Sequence, residues 1–154
     1  MRSVLALAAL ALLSACPRPQ PPAAPAPSPA PGEGAAGGSA GPLVSSLQIQ
    51  ATADSVAFTL AVTNATRQPL TLEFRSGQSY DFAVADGGRE VWRWSAGLMF
   101  TQALRSETLA AGETRTWRES WRPPAELRGR ELTATARLVS ASHPLTRTQT
   151  FRLP

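Results

Sequence analysis

A strict alternation of large apolar and smaller side chains between residues 56 and 63 constrains the fold more than any other feature of the sequence. Val56, Phe58, Leu60 and Val62 recur at every second position, and Ala or Thr fills each position between them. Successive side chains of a β-strand point to opposite faces, so this period of two predicts a strand with one face buried. The chain around it is expected to contribute further strands to the same kind of sheet.

The alternation returns along most of the chain after residue 42. Strands are predicted at residues 43–50, 55–64, 70–75, 80–84, 91–95, 113–121, 131–140 and 146–153. Residues 99–103 are predicted to form either a short strand or a bend. Asp86, Gly87 and Gly88 tolerate the positive φ of a hairpin turn. Seven or eight short strands without helical crossovers predict an all-β fold, an antiparallel immunoglobulin-like β-sandwich, though no cysteine pair joins its sheets.

Residues 1–15 have the form of a bacterial lipoprotein signal peptide. Arg2 supplies a positive charge, an apolar run covers residues 4–13, and small residues precede Cys16, the only cysteine. The apolar run is too short to span a bilayer as a helix, which favours a processed export signal. The alternative is an ordinary signal peptide with an incidental cysteine.

Lipidation of Cys16 is therefore predicted, and it determines the expected location. Two or more acyl chains give durable anchoring, so the mature protein is expected to sit on a membrane of the cell envelope without crossing it. Pro17 follows Cys16. By resemblance to lipoprotein sorting rules, the missing Asp at this position favours the outer membrane if the host has two membranes.

Residues 16–42 are predicted to be a linker between the anchor and a domain at residues 43–154. The linker is rich in Pro, Gly and Ala and contains no aromatic or β-branched residue, so it cannot build a core. Its Pro-rich half favours an extended polyproline form, and its Gly-rich half favours flexible coil. A spacer is the favoured interpretation over a Pro-rich recognition ligand.

The net charge of +4 does not predict a nucleic-acid partner. All fifteen basic residues are Arg, and basic and acidic residues are interspersed along the domain. Polyanion binding usually requires a basic patch or stripe on one face. We therefore expect no nucleic-acid binding.

The sequence also lacks the patterns of an active site, so no catalytic residue is predicted. His143 precedes Pro144 without a carboxylate or nucleophile nearby in sequence, and it is interpreted as a turn residue. Ser76 and Ser95 do not lie in a nucleophile-elbow motif. No metal-ligand cluster and no phosphate-binding Gly loop occurs, and we expect no cofactor and no metal.

Three segments in the middle of the domain carry a family resemblance. They are Phe74-Arg75-Ser76-Gly77-Gln78-Ser79-Tyr80-Asp81-Phe82, Val91-Trp92-Arg93-Trp94-Ser95 and Met99-Phe100-Thr101-Gln102-Ala103. With these segments in this order, the domain resembles the BsuPI family of intracellular proteinase inhibitors. The resemblance implies an immunoglobulin-like sandwich and inhibition of serine proteases. The export signal implies that a cytosolic protease is not the target.

Two loops and an aromatic group are the candidate contact surfaces for a protein partner. The loop residues are Ser76, Gly77, Gln78 and Ser79, and Trp121, Pro123 and Pro124. Trp92 and Trp94 lie two residues apart and share one face of a strand. They form either an aromatic contact patch or part of the core with a partly exposed rim.

These observations lead to two hypotheses and disfavour a third. The first is an envelope-anchored proteinase inhibitor that binds a serine protease. The second is a noninhibitory adhesion or assembly module that pairs through an edge strand. A cryptic enzyme has no supporting group of residues. In both hypotheses we expect a monomer that binds another protein and contacts the membrane only through its lipid anchor.

Overall fold

The structure, a computed structural model, describes residues 41–154, and within them the fold is all-β. The strands are β1 (Leu43–Ala51), β2 (Val56–Asn64), β3 (Leu70–Phe74), β4 (Tyr80–Asp86), β5 (Arg89–Arg93), β6 (Arg105–Leu109), β7 (Thr114–Trp121), β8 (Glu131–Leu138) and β9 (Leu145–Arg152). A short 3-10 helix, Ala125–Leu127, lies between β7 and β8. No helix in this part of the chain is long and apolar enough to cross a membrane.

Every strand pairing in the described residues is antiparallel, and the pairs form three hydrogen-bonded sheets. The strand orders are β1-β2-β7, β3-β6 and β5-β4-β8-β9. The β4–β5 hairpin turns at Gly87 and Gly88, both with positive φ, as the sequence predicts. A register irregularity between Val84 and Ala85 interrupts this hairpin ladder.

The core lies between the three-stranded and four-stranded sheets, and Phe58 occupies its centre. Its ring stacks on Phe82 at 5.8 Å and on Trp92 at 5.4 Å, and it meets the edge of Phe151 at 6.2 Å. Phe58 belongs to β2, whereas the other three rings belong to the opposing sheet. The two sheets therefore pack face to face, and the predicted β-sandwich class is confirmed.

The alternation in β2 has the predicted structural effect. Val56, Phe58, Leu60 and Val62 are all buried in the core cluster. Burial of a large apolar side chain contributes roughly 1.5–3 kcal/mol relative to exposure, so this row alone stabilises the sandwich substantially. The residues between them are half-buried or exposed.

The structure differs from the sequence prediction on either side of residue 104. Residues 99–103 have no regular secondary structure, whereas Arg105–Leu109 forms β6, which the alternation did not reveal. Strand β6 contains Arg, Ser, Glu and Thr, and only Leu109 is both apolar and buried. It therefore lacks the apolar face that makes a strand detectable from its periodicity.

The buried amide of Asn64 ties two connections of the sandwich together. Its Nδ2 donates to the backbone oxygens of Gln68, Leu109 and Ala110 at 2.8–3.1 Å, and its Oδ1 accepts from the Thr66 backbone and hydroxyl. A fully buried polar group is tolerated when its hydrogen bonds are satisfied. Asn64 thus fixes the β2–β3 loop against the β6–β7 turn.

The predicted signal peptide, Cys16 and nearly all of the predicted linker lie outside the described residues.

Candidate functional site

The connection between β5 and β6, residues 94–104 and here called the β5–β6 loop, carries an unusual exposure of aliphatic side chains. Leu98 is 49% exposed, Met99 is 96% exposed and Leu104 is 84% exposed. In residues 41–154 the other exposed large hydrophobic side chains are Val44 and Val139. Most soluble domains expose such residues singly, so three in one loop make this loop the candidate contact surface.

The first half of this loop is held against the domain by a turn and an aromatic stack. The backbone N–H of Ala96 donates to Arg93 O at 3.2 Å, and that of Leu98 donates to Ser95 O at 3.1 Å. The ring of Trp94 stacks on Tyr80 at a centroid distance of 4.4 Å. The loop therefore leaves β5 in a fixed direction.

The second half is held by Phe100 and Thr101. The Phe100 ring packs on Trp94 at 5.8 Å, and Thr101 O accepts a hydrogen bond from the Gly77 backbone N–H at 2.8 Å. A Cβ added to Gly77 would lie 2.7 Å from Thr101 Oγ1. Gly77 therefore permits an approach that a larger residue would obstruct.

Arg105, the first residue of β6, joins the loop to the β3–β4 connection, residues 75–79. Its guanidinium donates to Ser76 O at 3.1 Å, to Gly77 O at 3.3 Å and to Ser79 Oγ at 2.5 Å. The same guanidinium lies 4.3 Å above the Phe74 ring, a cation–π contact. It also forms an ion pair with Glu107. One arginine thus satisfies two backbone carbonyls beside the loop.

A buried carboxylate supports the start of the β5–β6 loop from below. Asp81 is 6% exposed, its Oδ2 accepts from Arg93 Nη1 at 2.5 Å, and its Oδ1 accepts from the Ser95 backbone N–H at 3.3 Å. Arg93 also donates to Glu90. These bonds raise the pKa of Arg93, the bond to Glu90 contributing most, and the same bond lowers the pKa of Glu90. Asp81 is therefore a satisfied structural carboxylate.

Tyr80 links the stack under the loop to the opposing sheet. Its hydroxyl donates to Glu119 Oε1 at 2.6 Å, and its ring also lies 5.8 Å from Trp117. Burial raises the pKa of Tyr80, and the hydrogen bond and charge of Glu119 raise it further. Tyr80, on whose ring Trp94 stacks, is thereby linked to both sheets.

The structure places the first predicted loop beside the β5–β6 loop. Gly77 and Ser76 bond to Thr101 and Arg105 as described above, while Ser76 and Gln78 line an adjacent groove of about 560 Å³. The groove also contains the exposed guanidiniums of Arg75 and Arg137. The loop of Ser76, Gly77, Gln78 and Ser79 therefore serves as a brace for a more exposed neighbour and also presents its own polar surface.

The second predicted loop lies at the other end of the sandwich. Arg130, the last residue of the connection from β7 to β8, pairs with Asp86 at the far end of β4 from Ser79. Pro124 precedes the 3-10 helix of this connection, and Pro123 is half-buried. The seven-residue length of β4 separates the two loops by roughly 20 Å at about 3.3 Å per residue. One compact contact surface cannot contain both.

The predicted tryptophans differ in their environments. Trp92 is half-buried and stacks on Phe58 and on Trp121 at 5.7 Å, so both side chains belong to or border the core. Trp121 is itself buried. Trp94 is half-buried, and it supports Phe100. The structure thus places Trp92 and Trp121 in the packing between the sheets and Trp94 beneath the β5–β6 loop.

The described residues contain no group of three or more His, Cys, Asp or Glu side chains placed to hold a metal ion. His143 Nδ1 lies 3.0 Å from the hydroxyl of its neighbour Ser142. That hydroxyl donates to Thr71 O and accepts from the Glu73 backbone N–H. Ser142 therefore caps the edge of β3, and its bonds account for the position of His143.

None of the exposed aliphatic residues of the β5–β6 loop is among the contact residues that the sequence predicts. The available signal was the run Leu98-Met99-Phe100 directly after Gly97. Three consecutive apolar residues break the period of two, which indicates that this segment is not a half-buried strand. The family resemblance instead marked Met99 and Phe100 as part of the fold.

The fold and this loop define a small all-β domain that presents one braced loop with exposed aliphatic side chains. A family model described as BsuPI, intracellular proteinase inhibitor, matches residues 43–142. The chain belongs to the BsuPI family of intracellular proteinase inhibitors. No curated protein matches the chain.

Several solved structures share a loose likeness to the chain. Spo0M, a sporulation control protein from Bacillus subtilis, is 13% identical with a TM-score of 0.42, and the match covers 73% of this chain and 49% of that one. The chain thus spans about half the length of that protein. The putative ApaA protein from Bordetella pertussis is 17% identical with a TM-score of 0.41, covering 73% of this chain and 94% of that one. Bacteroides uniformis β-glucuronidase 2 is 15% identical with a TM-score of 0.40, covering 72% and 13%.

Proposed function

We propose that this protein is an envelope-anchored inhibitor of a serine protease, and that it acts by binding the protease through the β5–β6 loop. Family membership supports inhibition of a proteinase as the function. The sequence of residues 1–16 supports export and lipidation at Cys16. The proposed target is therefore a protease of the cell envelope rather than of the cytosol.

The observation that carries the proposal is the combination of exposure and bracing in one loop. Association costs free energy for every segment that must become ordered, so a loop already held in place binds more tightly than a mobile one. Here Trp94 and Phe100 pack together beneath the loop, while the Thr101 backbone bonds to Gly77. Met99 remains almost fully exposed between them. This is the arrangement that a rigid inhibitory loop requires.

The predicted linker fits an inhibitor held at a membrane surface. Residues 17–42 reach at most roughly 80 Å if extended at about 3.1 Å per residue. This reach allows the domain to approach a membrane-bound protease from one anchor point. In a host with two membranes, we propose the outer membrane as the site of the anchor.

The second hypothesis, an adhesion or assembly module that pairs through an edge strand, has less support from the edge strand nearest this loop. Strand β5 is an edge of the four-stranded sheet, and it carries Arg89, Glu90 and Arg93 in its five residues. Charged residues on an edge strand discourage pairing with another chain. The apolar loop therefore provides a better contact surface than this edge.

The proposal is tested by titrating a panel of subtilisin-like and chymotrypsin-like serine proteases with the purified full chain. We expect at least one protease to lose activity in proportion to the inhibitor added. A matched variant chain carries Leu98→Ser, Met99→Ser and Leu104→Ser. It should lose the inhibition while keeping the fold. Unchanged activity of every protease at micromolar excess of the wild-type chain would reject the proposed function.

A further inference from the structure

The three exposed aliphatic residues of the β5–β6 loop are not equivalent. Leu98 is half exposed, and its backbone N–H is bonded within the turn to Ser95 O. Leu104 is largely exposed, but it directly precedes Arg105, where β6 begins. Met99 is the most exposed of the three at 96%. It is therefore the side chain most completely available to a partner.

The position of Met99 between two held residues distinguishes it further. On its amino-terminal side the chain is fixed by the turn at Ser95, and on its carboxyl-terminal side Phe100 packs against Trp94. Residues 98–104 include no turn, bend or helical residue. The loop therefore presents its most exposed side chain, Met99, on a segment whose two flanks are fixed, as needed for insertion into a pocket.

From this geometry we infer that Met99 is the primary specificity residue of the inhibitor and that the partner is a serine protease with a deep, apolar S1 pocket. This inference rests on the proposed function. The pocket of a serine protease selects the inserted side chain by its size and charge. Methionine is long, unbranched and polarizable, so it fills a deep apolar pocket. An acidic pocket would leave its own carboxylate unpaired.

Insertion into a lipid bilayer is the competing use of an exposed apolar loop. The placement of Phe100 argues against this use, because the two largest apolar side chains of the loop, Trp94 and Phe100, pack on each other. These rings, which would contribute most to membrane binding, therefore contact each other instead of lipid. With both rings packed together, the exposed Met99 side chain fits a protein pocket better than a lipid surface.

The test compares the full chain with its Met99→Leu, Met99→Lys and Leu104→Lys variants against a subtilisin-like protease with an apolar pocket and against a trypsin-like protease. We expect Met99→Leu to retain inhibition within about threefold, as a swap of similar volume. Met99→Lys should weaken inhibition of the subtilisin-like protease by about 100-fold or more, the loss expected at a hot spot, and should create inhibition of the trypsin-like protease. Leu104→Lys adds the same charge at a similarly exposed site, and it should change inhibition only a few-fold.

The outcomes separate this inference from the proposed function. Equal losses for the two lysine variants, or a larger loss for Leu104→Lys, overturn the role of Met99 but leave the inhibitor intact. Failure of the wild-type chain to inhibit any protease overturns both. Membrane binding is measured with the Cys16→Ser chain on vesicles of phosphatidylethanolamine and phosphatidylglycerol. If Met99→Lys abolishes vesicle binding but leaves protease inhibition unchanged, the loop binds the membrane and the inference is overturned.

Discussion

The backbone N–H of Gly77 donates to the backbone oxygen of Thr101 at 2.8 Å, and so fixes the β5–β6 loop to the connection that precedes β4. The space beside this bond is occupied by Thr101 Oγ1, which would lie 2.7 Å from a Cβ at residue 77. The two loops therefore act as one unit, with one supporting and the other exposed.

Gly77→Ala is expected to disturb the contact between the two loops, and adding Thr101→Ala is expected to restore it. The added methyl group pushes against Thr101 Oγ1, so inhibition should weaken about tenfold, equivalent to roughly 1.4 kcal/mol of binding free energy. Thr101→Ala alone keeps the backbone bond and should bind nearly as wild type. Inhibition constants of the two single variants and the double variant provide the measurement. If the double variant is as weak as Gly77→Ala, the contact between these two residues is not the cause.

Tyr80 is expected to ionise at unusually high pH in the folded protein. Its folded pKa is raised by burial and by Glu119, so the protonated side chain contributes stability that is fully present below its unfolded value of about 10. This contribution is lost as the pH rises through the folded value. Because Tyr80 is the only tyrosine, its ionisation can be followed by absorbance at ultraviolet wavelengths specific to tyrosinate.

Glu119→Gln should lower the ionisation pH of Tyr80 toward that of the chain unfolded in guanidinium, since the variant removes the carboxylate that accepts the hydroxyl bond. Glu126→Gln, an exposed substitution in the connection from β7 to β8, is the matched control and should leave the titration unchanged. A folded wild-type protein in which Tyr80 titrates like the unfolded chain would show that the Tyr80–Glu119 bond does not persist in solution.

Asn64→Asp is expected to destabilise the domain by about 3 kcal/mol or more, because a buried oxygen would then face the carbonyl oxygens that the amide nitrogen now satisfies. Gln68→Ala is the control, since Gln68 receives the bond through its backbone and its side chain is exposed. Chemical denaturation gives both free energies of unfolding. Equal and small losses in the two variants would mean that Asn64 does not hold the connections together.

Lipidation at Cys16 predicts incorporation of labelled fatty acid into the wild-type chain and its loss in Cys16→Ala. The chain should also move from the membrane fraction to the soluble exported fraction. The physical reason is that Cys16 provides the only thiol for acylation. Labelling that persists in Cys16→Ala would contradict the predicted anchor.

The sandwich could be predicted from the sequence where an apolar face creates the period of two, as in β2 with Phe58 and Leu60. Strand β6 could not, because Arg105 and Glu107 serve ion pairs and hydrogen bonds rather than a buried face. Its pairing with β3 is set by tertiary contacts that local periodicity does not encode.

The candidate site was predicted only in part for a related reason. The sequence predicts Gly77 and Ser76 as loop residues, and the structure places them beside the loop that exposes Met99. The exposure of Met99 depends on Phe100 turning inward onto Trp94. Packing determines which of the two adjacent apolar residues, Met99 or Phe100, is exposed, and the sequence pattern does not reveal it.

Hydrogen–deuterium exchange on the complex of the full chain with an inhibited protease tests the central claim most directly. We predict slower exchange in residues 76–79 and 95–103 when the protease is bound, with no change in residues 122–130 at the opposite end of the sandwich. Protection confined to residues 122–130, or to an edge strand distant from Met99, would contradict the account.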